Sequence, residues 1–297
     1  MNYHAKYVKY KTKYLNLLYK IGGQLERMPQ LCFGTVQDNL VRTLSIAFSK
    51  GICHIDGANA YGGETYYNTV KEALKRMNRE NIWITWKSDN TTPQNLNRII
   101  DNLECTYIDT FLVHHAELPT SEHSLEQLYA YQLENPIKIR HIGISNCEDL
   151  SKLAEYKERF NISTIQIQAR EGRVYDFNNI EGLKKQRDNL EENFIENVNS
   201  MGINIMLYAT TSGFTNSYTY FLNPEYNAEL VQKINKYYYQ KYCAGKDNIL
   251  MIGSVSGSSI ETNISMVREV NDQTSLLPDE EIDEINKYLK EYVVQYM

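Results

Sequence analysis

CHID (53–56), NIWITWK (81–87) and DTFLVHH (109–115) are three successive short apolar runs, each closing on polar residues and each followed by a stretch of helical character. Their length and their β-branched and aromatic content read as buried strands. The same alternation continues in both directions. Upstream, LCFGTV (31–36) reads as a strand and residues 38–50 as an amphipathic helix closed by Gly51. Between the three runs lie a helix from about Glu64 to Met77 and another entered through Thr92-Pro93, where proline suits the first helical turn. Downstream come a helix near 121–134, RHIGI (140–144), a helix over 147–159, STIQIQ (163–168), a helix ending at Gly202 and INIMLY (203–208). A helix over 224–241, ILMIGS (249–254) and a helix near 258–270 complete the series. Eight strands, each trailed by a helix, predict a parallel sheet, and eight such units in 297 residues predict closure into a (β/α)8 TIM barrel. A doubly wound open sheet would want a Gly-rich fingerprint after its first strand, which FGTVQDN lacks. Pro278 and DEEIDEINKYLKEY add a C-terminal helix outside the eightfold count.

Composition sets the class. With 42% hydrophobic and 23% charged residues the chain has apolar mass for a large core, and no apolar run approaches the ~18 residues that span a bilayer. A net charge of −6 argues against non-specific nucleic-acid binding by the body of the protein. Cys32, Cys53, Cys105, Cys147 and Cys243 are scattered and free of C-x-x-C spacing, so reduced thiols and a reducing, cytoplasmic compartment are expected. Two segments stand apart. Residues 1–27 carry a balance of +5, leaving −11 on the 28–297 barrel domain. This leader interleaves lysine with tyrosine, ends in Gly22-Gly23 and lacks the apolar core of a secretory signal. It reads either as a basic surface helix docking on a membrane or protein, or as a solvated tail. Residues 169–190 form a long polar connection rich in Arg and Lys.

In such a barrel the carboxyl ends of the strands form the rim that carries function. Asp56, Tyr61, Lys87 and His114 fall there, at or just after the ends of their strands. A lysine at the inner end of a strand is rare unless paired, and Asp56 is the natural partner. His114 and His115 are expected on opposite faces by strand alternation, which argues against a metal site built from the pair. Together the four groups suit carbonyl reduction. Tyr61 gives a proton to the developing alkoxide, its pKa of ~10 lowered by Lys87, which Asp56 holds, and His114 orients the substrate. Side chains supply no hydride, so a nicotinamide cofactor is implied. The rival is a non-catalytic or regulatory cofactor-binding barrel that acts through a protein partner. Ser145-Asn146 reads as the cap of the following helix. Gln166 and Gln168 share the inward face of one strand, where a glutamine can bond another polar core residue.

HIDGANAYGGE (54–64), ITWK (84–87), YIDTFLVHH (107–115), IGISN (142–146) and the strand glutamine of STIQIQ resemble, in order and spacing, the signatures of the aldo-keto reductases. The resemblance runs from about Met28 to Asn263. It implies a (β/α)8 barrel that binds NADP(H), less often NAD(H), and reduces small-molecule carbonyls. By the same resemblance the catalytic tetrad is Asp56, Tyr61, Lys87 and His114. Ser145, Asn146 and Gln166 would contact the cofactor carboxamide, Tyr208 would stack on the nicotinamide, and Ser254 and Asn263 would sit in the cofactor site. The family's phosphate-binding lysine and arginine are replaced by Gly253 and Ser259, which leaves NAD possible beside NADP. The leader resembles Tyr/Lys-rich openings on proteins of large DNA viruses, which would allow association with a virion.

Overall fold

A computed structural model describes residues 27–36, 40–169, 192–210, 228–253, 257–285 and 287. The sequence readings that fall on most of the leader, on the 170–190 connection, on the start of the 224–241 helix and on Ser254 lie outside these residues.

Eight parallel strands run β1 Leu31–Gly34, β2 His54–Ala58, β3 Trp83–Lys87, β4 Ile108–Val113, β5 Ile139–Ser145, β6 Thr164–Gln168, β7 Asn204–Tyr208 and β8 Ile249–Ile252. They pair in sequence order, and β1 pairs with β8 to close the barrel. The intervening helices are α1 Leu40–Ser49, α2 Glu64–Leu74, α3 Pro93–Asn102, α4 Ser121–Glu134, α5 Leu150–Phe160, α6 Glu192–Ser200, α7 Ala228–Tyr238 and α8 Gly257–Asn271. Residues 279–285 are helical beyond the eightfold set, as the sequence predicts. α3 shows how local sequence fixes an element: Pro93 opens its first turn, and Leu96, Ile99 and Ile100 recur at helical spacing on one buried stripe.

Two apolar layers result. The larger lies between the strands and the helices, and includes Phe33, Ile55, Ile84, Phe111, Ile144 and Ile165 from the sheet. The smaller is made of Cys32, Met206, Ile249 and Met251. A polar pair on β2 and β3 abuts it. His54 Nε2 meets Thr85 Oγ1 at 2.9 Å, and Thr85 in turn touches Met206 Sδ at 3.9 Å. All five cysteines are free thiols. Gly143 shows how tightly β5 and β6 approach, because a Cβ there would fall on the Thr164 carbonyl oxygen. A second ion cluster sits near the amino end of β4. Asp109 accepts from Arg79 at 2.6 Å and Arg140 at 2.9 Å, and Tyr107 lies between the two guanidiniums. Charge at that end of a barrel serves stability.

Two expectations from sequence are corrected. The cap of α5 is Asp149, whose carboxylate accepts from the backbone N–H groups of Ser151 and Lys152 at 2.9 and 3.0 Å. Ser145 instead ends β5, and Asn146 turns sharply after it at φ 64°. Asp56 does not end its strand. Gly57 and Ala58 continue β2 two residues further, so the carboxylate lies within the barrel wall and is fully buried.

Candidate active site

Asp56 and Lys87 come from neighbouring strands and form an ion pair in which both side chains are almost wholly buried. Asp56 uses Oδ2 for the ammonium, and Oδ1 accepts from Gln166 Nε2 at 2.8 Å. The glutamine reaches across from β6, and its Nε2 also meets Met251 Sδ at 3.0 Å. Both carboxylate oxygens are therefore engaged, as a buried charge requires. Tyr61 ends a single 3-10 turn, Asn59–Tyr61, that follows β2. Its ring lies with its centroid 5.1 Å from Lys87 Nζ and meets His114 edge-on at 5.8 Å and 81°. All four residues of the sequence-derived set thus stand together at one end of the barrel.

The electrostatics differ from the expectation for Tyr61. Its phenol is pushed up from the ordinary tyrosine value, not down, first by burial and then by the charge of Asp56. The ammonium is bonded to that carboxylate, so its effect on the phenol is offset by a negative charge close by. Tyr61 therefore holds its proton throughout the neutral range. His114 is shifted down to about 4, by burial first and then by Lys87 and His115, with Asp89 opposing. At neutral pH it is an uncharged imidazole with one N–H to donate.

The two histidines are not on opposite faces. β4 ends at Val113, so strand alternation no longer governs residues 114 and 115. Asp89 Oδ1 accepts the backbone N–H of His115 at 2.9 Å, and Oδ2 lies 2.7 Å from its Nδ1. This draws the chain round until the imidazoles stack at 4.0 Å and 27°. Asp89 was not singled out in the sequence. The only signal for it is an acid two residues beyond Lys87, and nothing local ties it to β4.

Further support surrounds the phenol. Tyr66, edge-on to Tyr61 at 6.2 Å, shares a 2.5 Å hydrogen bond with Thr35 Oγ1, which also donates to the Asp56 carbonyl at 2.7 Å. Asn59 Oδ1 accepts from Trp86 Nε1 at 2.9 Å and from Tyr67 at 2.5 Å, fixing the turn that carries Tyr61. Among 24 tyrosines, neither Tyr66 nor Tyr67 is distinguishable in the sequence.

The remaining sequence-derived positions fall around the same end. Ser145 and Gln166 are cross-strand neighbours, with Ser145 Oγ donating to Gln166 Oε1 at 3.4 Å. Tyr208 ends β7 and donates to Asn146 Oδ1 at 2.7 Å. Ala209 then turns at φ 57°, an unfavourable conformation for alanine that redirects the chain immediately after the ring. Asn263, on α8, accepts from Asn235, which accepts from Thr210 at 2.8 Å, so it is tied to the segment after β7. Gln168 ends β6 beside Tyr208 and is 1% exposed, with neither amide atom hydrogen-bonded among the described residues. Ser254 is outside those residues. Gly253 directly follows β8, and Ser259 lies in the first turn of α8.

A closed barrel of eight parallel strands with an acid–lysine pair, a phenol and an imidazole gathered at one end is a (β/α)8 barrel equipped for proton transfer. The chain belongs to the aldo/keto reductase family, whose sequence model matches residues 31–262. The NAD/NADP-dependent indole-3-acetaldehyde reductase of Schizosaccharomyces pombe is 28% identical over 141 residues. That match covers 43% of this chain and 49% of the yeast protein, about half the length of the relative. Among solved structures, aldose reductase from Giardia lamblia superposes with a TM-score of 0.66 at 17% identity, over 89% of this chain and 92% of its own. A Bombyx mori aldo-keto reductase in complex with NADP gives 0.64 at 18% identity, over 88% and 89%. At such identities the likeness establishes the shared barrel.

Proposed function

We propose that the protein is an NAD(P)H-dependent reductase of small aldehyde and ketone carbonyls, with Tyr61 as general acid. The observation that carries this reading is the gathering of Tyr61, the Asp56–Lys87 pair and His114 at one barrel end in a chain of this family.

The groups at the ends of β5, β6 and β7 fit a nicotinamide. A hydroxyl and two amides (Ser145, Asn146, Gln166) match the donors and acceptors of a carboxamide, Tyr208 offers an aromatic face, and the unbonded amide of Gln168 is buried beside them. When bound there, the cofactor supplies the hydride. Everything else falls to the chain. Neutral His114 donates its N–H to the substrate carbonyl oxygen and fixes its position. Tyr61 gives its phenolic proton to the same oxygen as negative charge develops. Because its pKa is raised, the phenol is never depleted by ionisation at neutral pH, and the more basic alkoxide still draws the proton from it. The Lys87 ammonium, held by Asp56, whose other oxygen is fixed by Gln166, stands as a positive charge near the phenolate that remains.

Cofactor selectivity is relaxed in this reading. Without cations at Gly253 and Ser259 the 2′-phosphate gains little, so NADH serves as well as NADPH. The test is a fluorescence titration of purified protein with both cofactors, followed by an aldehyde panel with wild type and Tyr61→Phe. Quenching in both proteins, with turnover in the wild type alone, is expected. Undiminished turnover in Y61F would remove Tyr61 from the role, and quenching without any turnover would favour a cofactor-binding regulator.

A further inference from the structure

We infer that Asp89, His114 and His115 form a binding site for a zinc-like divalent transition metal ion, and that an ion held there inhibits the enzyme by engaging His114.

The donor set is the first argument. One carboxylate oxygen and two imidazole nitrogens lie within 4.8 Å of one another. Imidazole with carboxylate suits zinc, copper, nickel and cobalt, whereas calcium and magnesium demand shells of oxygen. Ligand atoms ~2.0–2.1 Å from a tetrahedral ion are about 3.3 Å apart, so closing the cluster takes side-chain rotations on the order of an ångström. The site then has three protein ligands and an open fourth position.

Preorganisation is the second. Asp89 is held by both the backbone N–H and the ring of His115, and the two rings already stack at 4.0 Å. The backbone bond leaves the carboxylate aimed at the rings after Oδ2 is transferred from imidazole to metal. If His115 ligates through Nδ1, any proton shared with Asp89 passes to solvent; if through Nε2, it stays. Accessibility is the third. The side chains of His115 and Asp89 are 36% and 34% exposed, so a hydrated ion can reach them. The nearby ammonium of Lys87 is paired with Asp56, which reduces its repulsion of an incoming cation.

The inhibitory part rests on the reductase reading above, because His114 is the imidazole assigned to the substrate carbonyl. A nitrogen committed to an ion forces that ring to turn and fills the space before it. Binding itself does not depend on that reading.

Two measurements on the full chain separate the claims. In a titration with Co2+ alone, the intense visible absorption of a tetrahedral ion should rise and saturate at one ion per chain, and Zn2+ should abolish it. His115→Ala and Asp89→Asn should each weaken Co2+ binding by about tenfold or more, with melting curves confirming that both are folded. Absence of the absorption, or equal affinity in folded H115A and D89N, overturns the site. With an aldehyde that the wild type turns over, Zn2+ should inhibit, EDTA should reverse it, and the two variants should require about tenfold more ion. Inhibition unchanged in both variants overturns the coupling to His114. Failure to turn over any carbonyl defeats the reductase reading and with it the inhibition, while the Co2+ titration still decides the site.

Discussion

Replacing Lys87 by methionine should destabilise the protein far more than replacing both members of the ion pair at once. The side chains of Lys87 and Asp56 are each 1% exposed. Once the ammonium is removed, the fully buried carboxylate keeps one side-chain partner among the described residues, the Gln166 amide at 2.8 Å. Leaving a buried charge without its counter-charge costs about 3–5 kcal/mol. At ~2 °C per kcal/mol for a chain of this size, K87M should melt about 6–10 °C below wild type. Asp56→Asn carries the reciprocal penalty, an unpaired ammonium. The double variant D56N/K87M has neither charge, and the new carboxamide still accepts from Gln166. Its loss should therefore be smaller than that of either single variant, giving a coupling energy of at least about 3 kcal/mol, at or above the top of the range for residues in contact. Urea unfolding of the four proteins measures this directly. Additivity within about 0.5 kcal/mol would refute the argument, because it would mean that the two charges do not depend on each other.

Other consequences can be tested in the same way. His54 is fully buried, with Nδ1 3.0 Å from the Pro29 carbonyl and Nε2 2.9 Å from Thr85, and burial lowers its pKa from 6.5 to about 4. The unfolded chain then binds the proton more readily, so about 3 kcal/mol of stability present above pH 6.5 is lost as pH falls toward 4. His54→Asn should reduce the proton uptake on unfolding at pH 5 by about one, measured from the slope of stability against pH. Gln168→Leu removes two buried amide atoms that have no hydrogen bond among the described residues, and should raise the melting temperature of the protein assayed without cofactor by the equivalent of about 1–3 kcal/mol. Gly143→Ala would set a methyl on the Thr164 carbonyl and 2.8 Å from Leu112 Cδ2, so soluble expression or thermal stability should fall sharply, whereas Gly202→Ala meets no neighbour within 4 Å and is strained only by its φ of 69°.

The barrel was legible because its signals are local. Apolar runs of strand length, spaced by helical stretches, need only their own residues to be read, and α4 falls on the expected residues 121–134. Element ends were less legible, since partners elsewhere set them. β2 runs on through Ala58 because Gly57 and Ala58 pair with Trp86 and Lys87, and only glycine fits at position 57 because a Cβ would strike the Trp86 ring. α5 starts three residues later than expected because Asp149 competes successfully with Ser145 and Asn146 for the capping position.

The site was legible as an inventory of groups but not as a charge distribution. A sequence shows that an acid, a lysine and a phenol come to one end; it does not show which charges cancel. Had Lys87 been free, its field would have acidified Tyr61. With Asp56 bonded to the ammonium and Gln166 locking the carboxylate in place, the pair presents little net charge to the phenol, and burial prevails. The same holds for His115, whose orientation depends on Asp89 reaching it from the segment after β3, 26 residues earlier in the chain. Tyr61 thus enters reaction as a fully protonated acid of raised pKa. Its acidity must then be gained at the moment charge appears on the substrate oxygen, which makes the fixed dipole of the Asp56–Lys87 pair more important in the transition state than before it. Lys87→Met should accordingly depress kcat far more than it raises KM in whatever fraction of the variant remains folded, and an effect confined to KM would assign the lysine to binding instead.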